Sequence, residues 1–336
     1  ERHFFAINEL RNDLELVAVC DTQFERALKL GKRAGCPSFS DYRQMLSAVP
    51  DVDLVAVLVE SGRHFELAME LLEFKIPVIV EKPLTMSLET ATTLVKAYDD
   101  ANVTIFVVKQ NRLNPPVVEA LKSVNSGEAG KILTISASVL WCRPAEYYLQ
   151  DAWRLLRDQD GGVIWNQASH YVDLVSLLLG EVSSVFAFGY NFQSPAESED
   201  TVHALIRAKT GAIASIQAST CARPRNFEGT LTILAENEVI RIGGHALNTI
   251  QRSTDSSATD RGSAQDRDVD GVYGKGHAGV YTSVILDVQD VARSQFRADQ
   301  GLQVIALMEA IHLSIAENRE VQLDEVYSSV DHKDLR

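Results

Sequence analysis

The sequence predicts an α/β protein in two parts: a doubly wound parallel sheet, followed by a domain with an open, mainly antiparallel sheet and helices. Three observations support this. Up to about residue 112, short apolar runs alternate with segments of helical periodicity. Beyond that point the strands follow one another at hairpin spacing. The 336 residues are enough for two domains, predicted at 1–112 and 113–336.

In the first part, strands and helices alternate along the chain. Apolar runs rich in β-branched residues predict strands over 14–20, 53–59, 76–80 and 103–108. Helical spacing predicts helices over 3–11, 22–34, 64–74 and after Ser87, which is the expected N-cap. Strands that alternate with helices form βαβ units, so this part is predicted to be a Rossmann-type nucleotide-binding domain.

The glycine-rich turn of a dinucleotide-binding fold is missing, because no GxGxxG occurs in the sequence. Helix 3–11, strand 14–20 and Asp21 nevertheless have the order expected after such a turn. We therefore expect the first strand and its glycine loop to lie upstream of Glu1. Asp21, followed by Thr22, would bind the adenosine ribose and favour NAD over NADP. A solvated strand-end or cap residue is the alternative for Asp21.

Composition argues against several partners. Net charge is 32 − 46 = −14, which does not suit nucleic acid or an anionic membrane surface. The four cysteines have no CxxC spacing, which indicates reduced thiols and a cytoplasmic protein. No apolar run is long enough to span a bilayer. The histidines form no ligand-spaced cluster with Cys or Asp, so no metal is predicted.

The second part is predicted to hold the antiparallel sheet and two late helices. Alternating patterns predict strands over 131–139, 182–190, 200–208, 211–220, 227–235 and 237–242. Residues 251–270, rich in Ser, Asp, Gly and Arg, predict an exposed loop, and helices are expected over 279–292 and 299–317. An open sheet covered by helices on one face leaves the other free, so we expect a homodimer or homotetramer through it.

The first motif whose side chains could take part in catalysis follows the strand 76–80: it is Glu81-Lys82-Pro83. In an open α/β sheet, ligands bind beyond the carboxyl ends of the strands, which is where Lys82 lies. A surface lysine at a strand end is the alternative.

The second motif runs from Gly161-Gly162 to Asp173. The spacing of Asn166, His170 and Asp173 predicts one polar stripe on a helix that faces a cleft. A histidine with an ordinary pKa of about 6.5 suits a base near neutral pH. A buried structural histidine is the alternative for His170, and Asp173 is expected to be structural.

Together the two motifs resemble the glucose-fructose oxidoreductase/inositol dehydrogenase/MocA family. The resemblance implies an NAD-dependent dehydrogenase in which Lys82 meets both nicotinamide and substrate, and His170 is the acid/base. Asn166 is the third expected catalytic residue; it stands where many relatives have aspartate, which removes one carboxylate from the site. The implied cofactor contacts are Asp21, Thr22, Ser61, Gly62, His64, Glu81, Lys82, Pro83, Asn111, Trp153 and Arg154.

Segments 109–115 and 141–148, Trp153-Arg154 and Asn166-Gln167 resemble, more narrowly, the UDP-N-acetylglucosaminuronate 3-dehydrogenases. This resemblance implies oxidation of the sugar C3 hydroxyl of a UDP-N-acetyl-hexuronic acid, for surface polysaccharides. Lys109, Arg112 and Arg143 are expected to hold the diphosphate and carboxylate, because cationic side chains suit such groups. The full expected substrate set is Lys82, Lys109, Arg112, Arg143, Tyr147, Asn166, His170 and His277.

The sequence leaves two alternatives open. One is a dehydrogenase of the same family that acts on a free sugar or inositol, and would not need the Arg143 region. The other is a non-catalytic regulator that binds NAD and a sugar. The presence of both Lys82 and His170 argues against the regulator, because a binding protein has no need of an acid/base pair.

Overall fold

The structure is a computed structural model that describes residues 1–244, 247–254 and 276–331. It is an α/β protein with parallel strands in the first 107 residues and a large, mainly antiparallel sheet from residue 132 onwards. The predicted fold class is therefore confirmed, with each kind of sheet in the part of the chain where it was expected.

The first part alternates helices and strands. Its helices are α1 (Arg2–Glu9), α2 (Phe24–Ala34), α3 (Tyr42–Ala48), α4 (His64–Leu71) and α5 (Leu88–Asp100). Its strands are β1 (Val19–Cys20), β2 (Ser38–Phe39), β3 (Val55–Val57), β4 (Val78–Val80) and β5 (Ile105–Val107). Short 3-10 turns cover Ser61–Arg63, Leu72–Phe74 and Gln110–Leu113.

The parallel strands form two separate sheets among the described residues. Strands β3, β4 and β5 pair in that order, with β4 in the centre and fully buried. Strand β1 pairs only with β2. Of the strand predicted over 14–20, only Val19–Cys20 is a strand, and these are the residues that pair with β2. The predicted N-cap is confirmed, since Ser87 Oγ accepts a hydrogen bond from the Thr90 amide at 3.2 Å.

The second part contains eight helices and eight strands among the described residues. The helices are α6 (Pro115–Ser126), α7 (Ala145–Leu149), α8 (Arg157–Asp160), α9 (Gly162–Trp165), α10 (Ser169–Leu179), α11 (Gly276–Val288), α12 (Leu302–Glu317) and α13 (Leu323–Asp331). The strands are β6 (Ile132–Leu140), β7 (Val182–Tyr190), β8 (Thr201–Ala208), β9 (Ile213–Ser219), β10 (Glu228–Ala235), β11 (Glu238–Gly243), β12 (Thr249–Thr254) and β13 (Val321–Gln322). Two more 3-10 turns cover Ala152–Leu155 and Ala298–Gly301.

These strands form one sheet in the order β12-β11-β10-β6-β9-β8-β7-β13. All neighbours are antiparallel except β6 and β9. Helices α10 and α12 cover one face, where alternate residues of each strand are buried. On the opposite face, large apolar side chains such as Phe188, Leu205 and Ile213 are exposed.

Three details differ from the sequence predictions. Strand β12 occupies the start of the predicted loop 251–270; the rest of that loop lies outside the described residues. Helices α3, α6, α7, α8 and α13 were not predicted. The helix expected to carry Asn166, His170 and Asp173 is broken between α9 and α10, because the Ala168 amide bonds to Val163 O, five residues back instead of four. Asn166 therefore lies between the helices, off the stripe.

Candidate active site

A cavity lies between the carboxyl end of β4, helix α10 and the start of α12. Its polar lining is provided by Lys82, Lys109, Ser169, His170 and Asp173, and α12 contributes apolar side chains. Lys82 and His170 come from different domains of the predicted division, yet they line the same cavity. Their catalytic roles remain a prediction.

Lys82 is held by its neighbours on both sides. Its Nζ donates to the Asn166 carbonyl at 2.8 Å, and its backbone N–H donates to Glu81 Oε2 at 2.9 Å. Burial lowers the pKa of Lys82, while the charges of Glu81 and Asp160 act in the opposite direction. Because it is buried, the Lys82 ammonium gives up its proton more readily than an exposed lysine does, and it can donate hydrogen bonds.

His170 is buried in the first turn of α10. Its Nε2 lies 3.1 Å from Nε2 of Gln110, which comes from the 3-10 turn after β5. Burial, together with the charge of Lys82, lowers the pKa of His170 to about 3. The imidazole is therefore neutral near pH 7, which is the form that accepts a proton.

The Asn166 side chain is hydrogen-bonded to a buried carboxylate, that of Asp160. Its Nδ2 donates to Asp160 Oδ1, and the Asp160 side chain is buried directly before the two glycines. Burial raises the pKa of Asp160, whereas the Asn166 bond and the charge of Lys82 lower it. Although position 166 has no carboxylate, Asp160 supplies one next to it, and the sequence analysis did not find this residue. The only feature of the sequence that marks Asp160 is its position directly before Gly161-Gly162.

Two of the cations expected to bind substrate are paired within the protein. Arg112 donates from Nε and Nη2 to the two oxygens of Asp173, at 2.7 and 2.6 Å. Lys109 Nζ lies 2.8 Å from Asp173 Oδ1, and burial lowers the pKa of Lys109 to about 8. Asp173 is also buried, but the two cations hold its pKa well below the usual range. Of the pair, Lys109 is the one that lines the cavity.

A second group of cations stacks on aromatic rings. Arg154 lies over Tyr147 and Trp153, 4.4 Å from each ring centre, and its Nη1 donates to the Tyr147 hydroxyl at 2.6 Å. Arg143 lies over Trp141 and Tyr147 at 5.1 and 5.2 Å. Arg154 is close enough to Lys82 to lower the pKa of that amine. Arg154 therefore lies near Lys82, and Tyr147, Trp153 and Arg143 are linked to it by these ring contacts.

The remaining expected substrate residue, His277, faces Glu81. Its Nε2 lies 3.7 Å from Glu81 Oε1, and His3, which the sequence analysis did not single out, lies 2.9 Å from the same oxygen. The ligand atoms of these three residues lie within 4.8 Å of one another, a grouping able to hold a metal ion. Sequence spacing could not indicate it, because the residues come from three distant segments.

Other expected cofactor residues are used within the protein or lie at its surface. Both ring nitrogens of His64 face backbone carbonyls, those of Pro83 at 2.6 Å and Val59 at 3.1 Å. Asp21 Oδ1 accepts the Gln23 amide at 2.8 Å, at the carboxyl end of β1. Thr22 beside it is exposed.

Ser61 and Gly62 form the start of the turn before α4. A Cβ added at Gly62 would lie 2.3 Å from Gln159 Oε1, so the glycine allows α8 to approach this turn. The role of Gly62 in this structure is therefore at least partly one of close packing.

Two family models match this chain. The NAD-binding Rossmann fold of the oxidoreductase family matches residues 1–109, and the GFO/IDH/MocA C-terminal domain matches residues 117–241. The chain belongs to the GFO/IDH/MocA family. Its first domain is accordingly an NAD-binding Rossmann domain, and the predicted family and cofactor are confirmed.

Individual relatives differ in substrate. The solved structure of the WlbA dehydrogenase from Bordetella pertussis, in complex with NADH and UDP-GlcNAcA, is 33% identical, with a TM-score of 0.84 over 95% of this chain and 94% of that chain. Levoglucosan dehydrogenase from Pseudarthrobacter phenanthrenivorans is 27% identical over 62% of this chain and 60% of its own length. The scyllo-inositol 2-dehydrogenase (NADP(+)) IolW of Bacillus subtilis is 24% identical over 82% of this chain and 80% of its own length.

The two residues that follow Lys109 of the cavity lining carry polar groups that suit a cofactor or a sugar. Gln110 Oε1 and Asn111 Oδ1 are buried and have no hydrogen-bond partner among the described residues. Buried acceptors of this kind are costly unless a donor reaches them, and a carboxamide or a hydroxyl is such a donor.

None of the helices that the structure describes is long and apolar enough to cross a membrane.

Proposed function

We propose that the protein is an NAD-dependent dehydrogenase that oxidises a secondary hydroxyl of a sugar, with C3 of a UDP-N-acetyl-hexuronic acid as the first candidate. The observation that carries this proposal is the convergence of Lys82 and His170 on one cavity. The likeness to WlbA over nearly the whole of both chains supports the choice of substrate.

NAD, when bound, accepts the hydride, and the chain's own residues orient the sugar and remove the hydroxyl proton. Lys82 would hydrogen-bond the reacting oxygen and stabilise the charge that develops on it. His170, neutral because of its burial, would accept the proton. Asn166 would act through its carbonyl, which fixes the direction of the Lys82 ammonium.

The proposed cofactor contacts are those expected from the sequence. Arg154 and Trp153 are grouped beside Lys82, and Glu81 and Pro83 flank it in the chain. Asn111 contributes a buried acceptor without a partner among the described residues. We assign Asp21 and Thr22 to the adenosine ribose.

A diphosphate and a carboxylate would need local cations in a chain of net charge −14. Arg143 and Lys109 are the first candidates, because Arg143 is partly exposed beside Tyr147 and Lys109 lines the cavity. Arg112 is buried and paired with Asp173, so we propose that it does not contact the substrate. Its role would be to bind Asp173, the carboxylate that also pairs with Lys109.

Oxidation of a free sugar or an inositol is the second candidate. Two observations favour it: the pairing of Arg112 within the protein, and relatives named for levoglucosan and scyllo-inositol. A free polyol would need the cavity but not the Arg143 region.

The two candidates can be separated by a panel assay. The protein is incubated with NAD and either UDP-N-acetyl-hexuronic acids, UDP-sugars, free hexoses or inositols, and NADH formation is followed, with mass spectrometry of the product. The first candidate predicts a product two hydrogens lighter from the UDP-uronic acid, and loss of saturable UDP binding in Arg143→Ala. Turnover of free sugars alone would favour the second candidate. No turnover of any compound would contradict both.

A further inference from the structure

Two of the four cysteines face each other just beyond the ends of β6 and β9. Cys142 and Cys221 form an isolated antiparallel bridge. The Arg143 N–H donates to the Thr220 carbonyl at 2.9 Å, and the N–H after Cys221 donates to the carbonyl before Cys142 at 3.1 Å. Neither bond joins the cysteines themselves. They are therefore a non-hydrogen-bonded pair, in which opposite Cα atoms lie about 4.5 Å apart.

This spacing is one that a disulfide can span. The Cα atoms of a disulfide are usually about 4.4–6.8 Å apart. Residues that oppose each other in a bridge have their side chains on the same face, so rotation about the two Cα–Cβ bonds would bring the sulfurs together. Cys142 and Cys221 are free thiols, and both are partly exposed, so a small oxidant can reach them.

The surroundings of the two thiols differ. Arg223 Nη1 lies 3.7 Å from Cys142 Sγ, and a neighbouring cation favours the thiolate, which is the form that reacts with oxidants. Burial and the Asp200 carboxylate raise the pKa of the Cys221 thiol. We therefore expect Cys142 to be oxidised first and Cys221 to react with it afterwards.

The bridge adjoins a cation that the proposed function assigns to the substrate. Arg143 directly follows Cys142, and its Nη1 donates to the Cys142 carbonyl at 2.8 Å and to Asn226 Oδ1 at 3.1 Å. The same Asn226 oxygen accepts the Cys142 N–H at 2.9 Å. The guanidinium is thus held by the backbone of Cys142 and by the segment that follows Cys221. A shift of this segment against Cys142 would move Arg143.

We propose that Cys142 and Cys221 form a reversible disulfide, and that this disulfide weakens substrate binding by displacing Arg143. In the reduced protein Cys142 Sγ lies 3.5 Å from the Pro224 carbonyl, and Cys221 Sγ lies 3.8 Å from the Thr201 hydroxyl. The sulfurs must leave these partners to bond to each other, which shifts the segment 221–226. The effect through Arg143 rests on the proposed function, whereas formation of the disulfide does not.

A peroxide is the oxidant that we propose. The Cys142 thiolate attacks a peroxide oxygen: an S–O bond forms, the O–O bond breaks, hydroxide leaves, and Cys142 becomes a sulfenic acid. The Cys221 thiol then loses its proton and attacks the sulfenic sulfur, so that the S–S bond forms, the S–O bond breaks and water leaves. In total the two thiols give up two electrons and two protons, and hydrogen peroxide becomes two waters. A dithiol reverses the reaction by thiol–disulfide exchange.

The test follows the disulfide and substrate binding separately. The protein is treated with a small molar excess of hydrogen peroxide, alkylated, and digested without reductant for mass spectrometry. We expect two peptides joined through Cys142 and Cys221, which dithiothreitol separates. Calorimetry in the presence of NAD measures UDP binding before and after treatment. Oxidation should raise the Kd for UDP about tenfold or more, as loss of one charge-assisted hydrogen bond does, and dithiothreitol should restore it.

Variants separate the disulfide from other oxidation. Cys221→Ser cannot close the bridge, so it should bind UDP like the reduced wild type both before and after peroxide. Cys142→Ser should behave in the same way, and the affinity for NAD checks that each variant is folded. Cys20→Ser is the matched control, because it removes an exposed cysteine of β1 and leaves the bridge intact. It should keep the full wild-type response.

Absence of the linkage between Cys142 and Cys221 in peroxide-treated wild-type protein would overturn the inference. A linkage that leaves the Kd for UDP unchanged would overturn the effect through Arg143, and so would an equal loss of UDP binding in peroxide-treated Cys221→Ser. Failure of the proposed function gives a different result: the reduced wild-type protein would not bind UDP, although the disulfide would still form.

Discussion

At the residue scale, burial decides which protonation state His170 has. The lowered pKa of about 3 keeps the imidazole neutral through the whole range in which an ordinary histidine titrates. Protonation of His170, and with it loss of the base, is reached only as the pH falls towards that value. We therefore expect kcat/KM to show no acid limb near pH 6.5. The measurement is the pH dependence of kcat/KM for the wild-type protein and for His170→Asn. An acid limb near pH 6.5 that is present in the wild type and absent from the variant would contradict the prediction.

Lys82 and His170 should each be necessary for turnover. Removal of a general base typically costs about 10²–10⁴-fold in rate, and Lys82 also stabilises the developing charge. We expect Lys82→Ala and His170→Ala to lower kcat by that order while NAD binding, followed by fluorescence titration, and the unfolding midpoint are retained. Near-normal turnover in both variants would refute the assignment.

Sequence reasoning found Lys82 and His170 because each stands in a local motif. It could not find Asp160 or His3, since their importance lies in contacts with Asn166 and with Glu81, which only the folded chain brings together. For the same reason Arg112 was expected to be free for substrate, although Asp173, far away in the chain, engages its guanidinium.

At the element scale, the two glycines at the start of α9 set the path of the chain into the site. Gly161 and Gly162 have φ angles of 70° and 73°, a region that strongly favours glycine. A Cβ at Gly162 would also lie 2.7 Å from Ser198 Cβ and 2.8 Å from Glu199 O. The turn therefore depends on glycine for both conformation and space.

Gly162→Ala should destabilise the protein more than Gly211→Ala. Both positions have positive φ, which costs an alanine about 1–2 kcal/mol, but nothing lies within 4 Å of a Cβ at Gly211. Overpacking at Gly162 should add about 1–3 kcal/mol. Urea unfolding of the two variants measures the difference, and equal free energies of unfolding would show that packing at Gly162 has no effect.

Element types were predicted well where periodicity is long and regular, as in the strands β6 to β11 and helix α12. Boundaries were less predictable, because pairing decides them: of the strand predicted over 14–20, only Val19 and Cys20 pair with β2. The break between α9 and α10 depends on one backbone bond, from Ala168 to Val163, that side-chain periodicity does not record.

At the scale of the whole molecule, the two-part architecture followed from the change in strand spacing along the sequence. The predicted boundary at residue 112 remains a prediction, although parallel strands end at Val107 and the large sheet begins at Ile132. The docking of the two parts could not be predicted, since contacts such as those of α1 with α11 join segments at opposite ends of the chain.

The exposed face of the large sheet is the proposed surface for self-association. Phe188, Leu205 and Ile213 are 62%, 59% and 49% exposed on adjacent strands β7, β8 and β9, and an apolar face of this kind is typical of an interface. We expect a homodimer or homotetramer in solution. A charge in the middle of this face would leave an unpaired carboxylate in the interface, so Leu205→Asp should reduce the molar mass measured by light scattering after gel filtration. Val291→Asp, 67% exposed in the turn after α11, is the control and should keep the wild-type mass. A monomeric wild-type protein, or an unchanged mass in Leu205→Asp, would exclude this face as the interface.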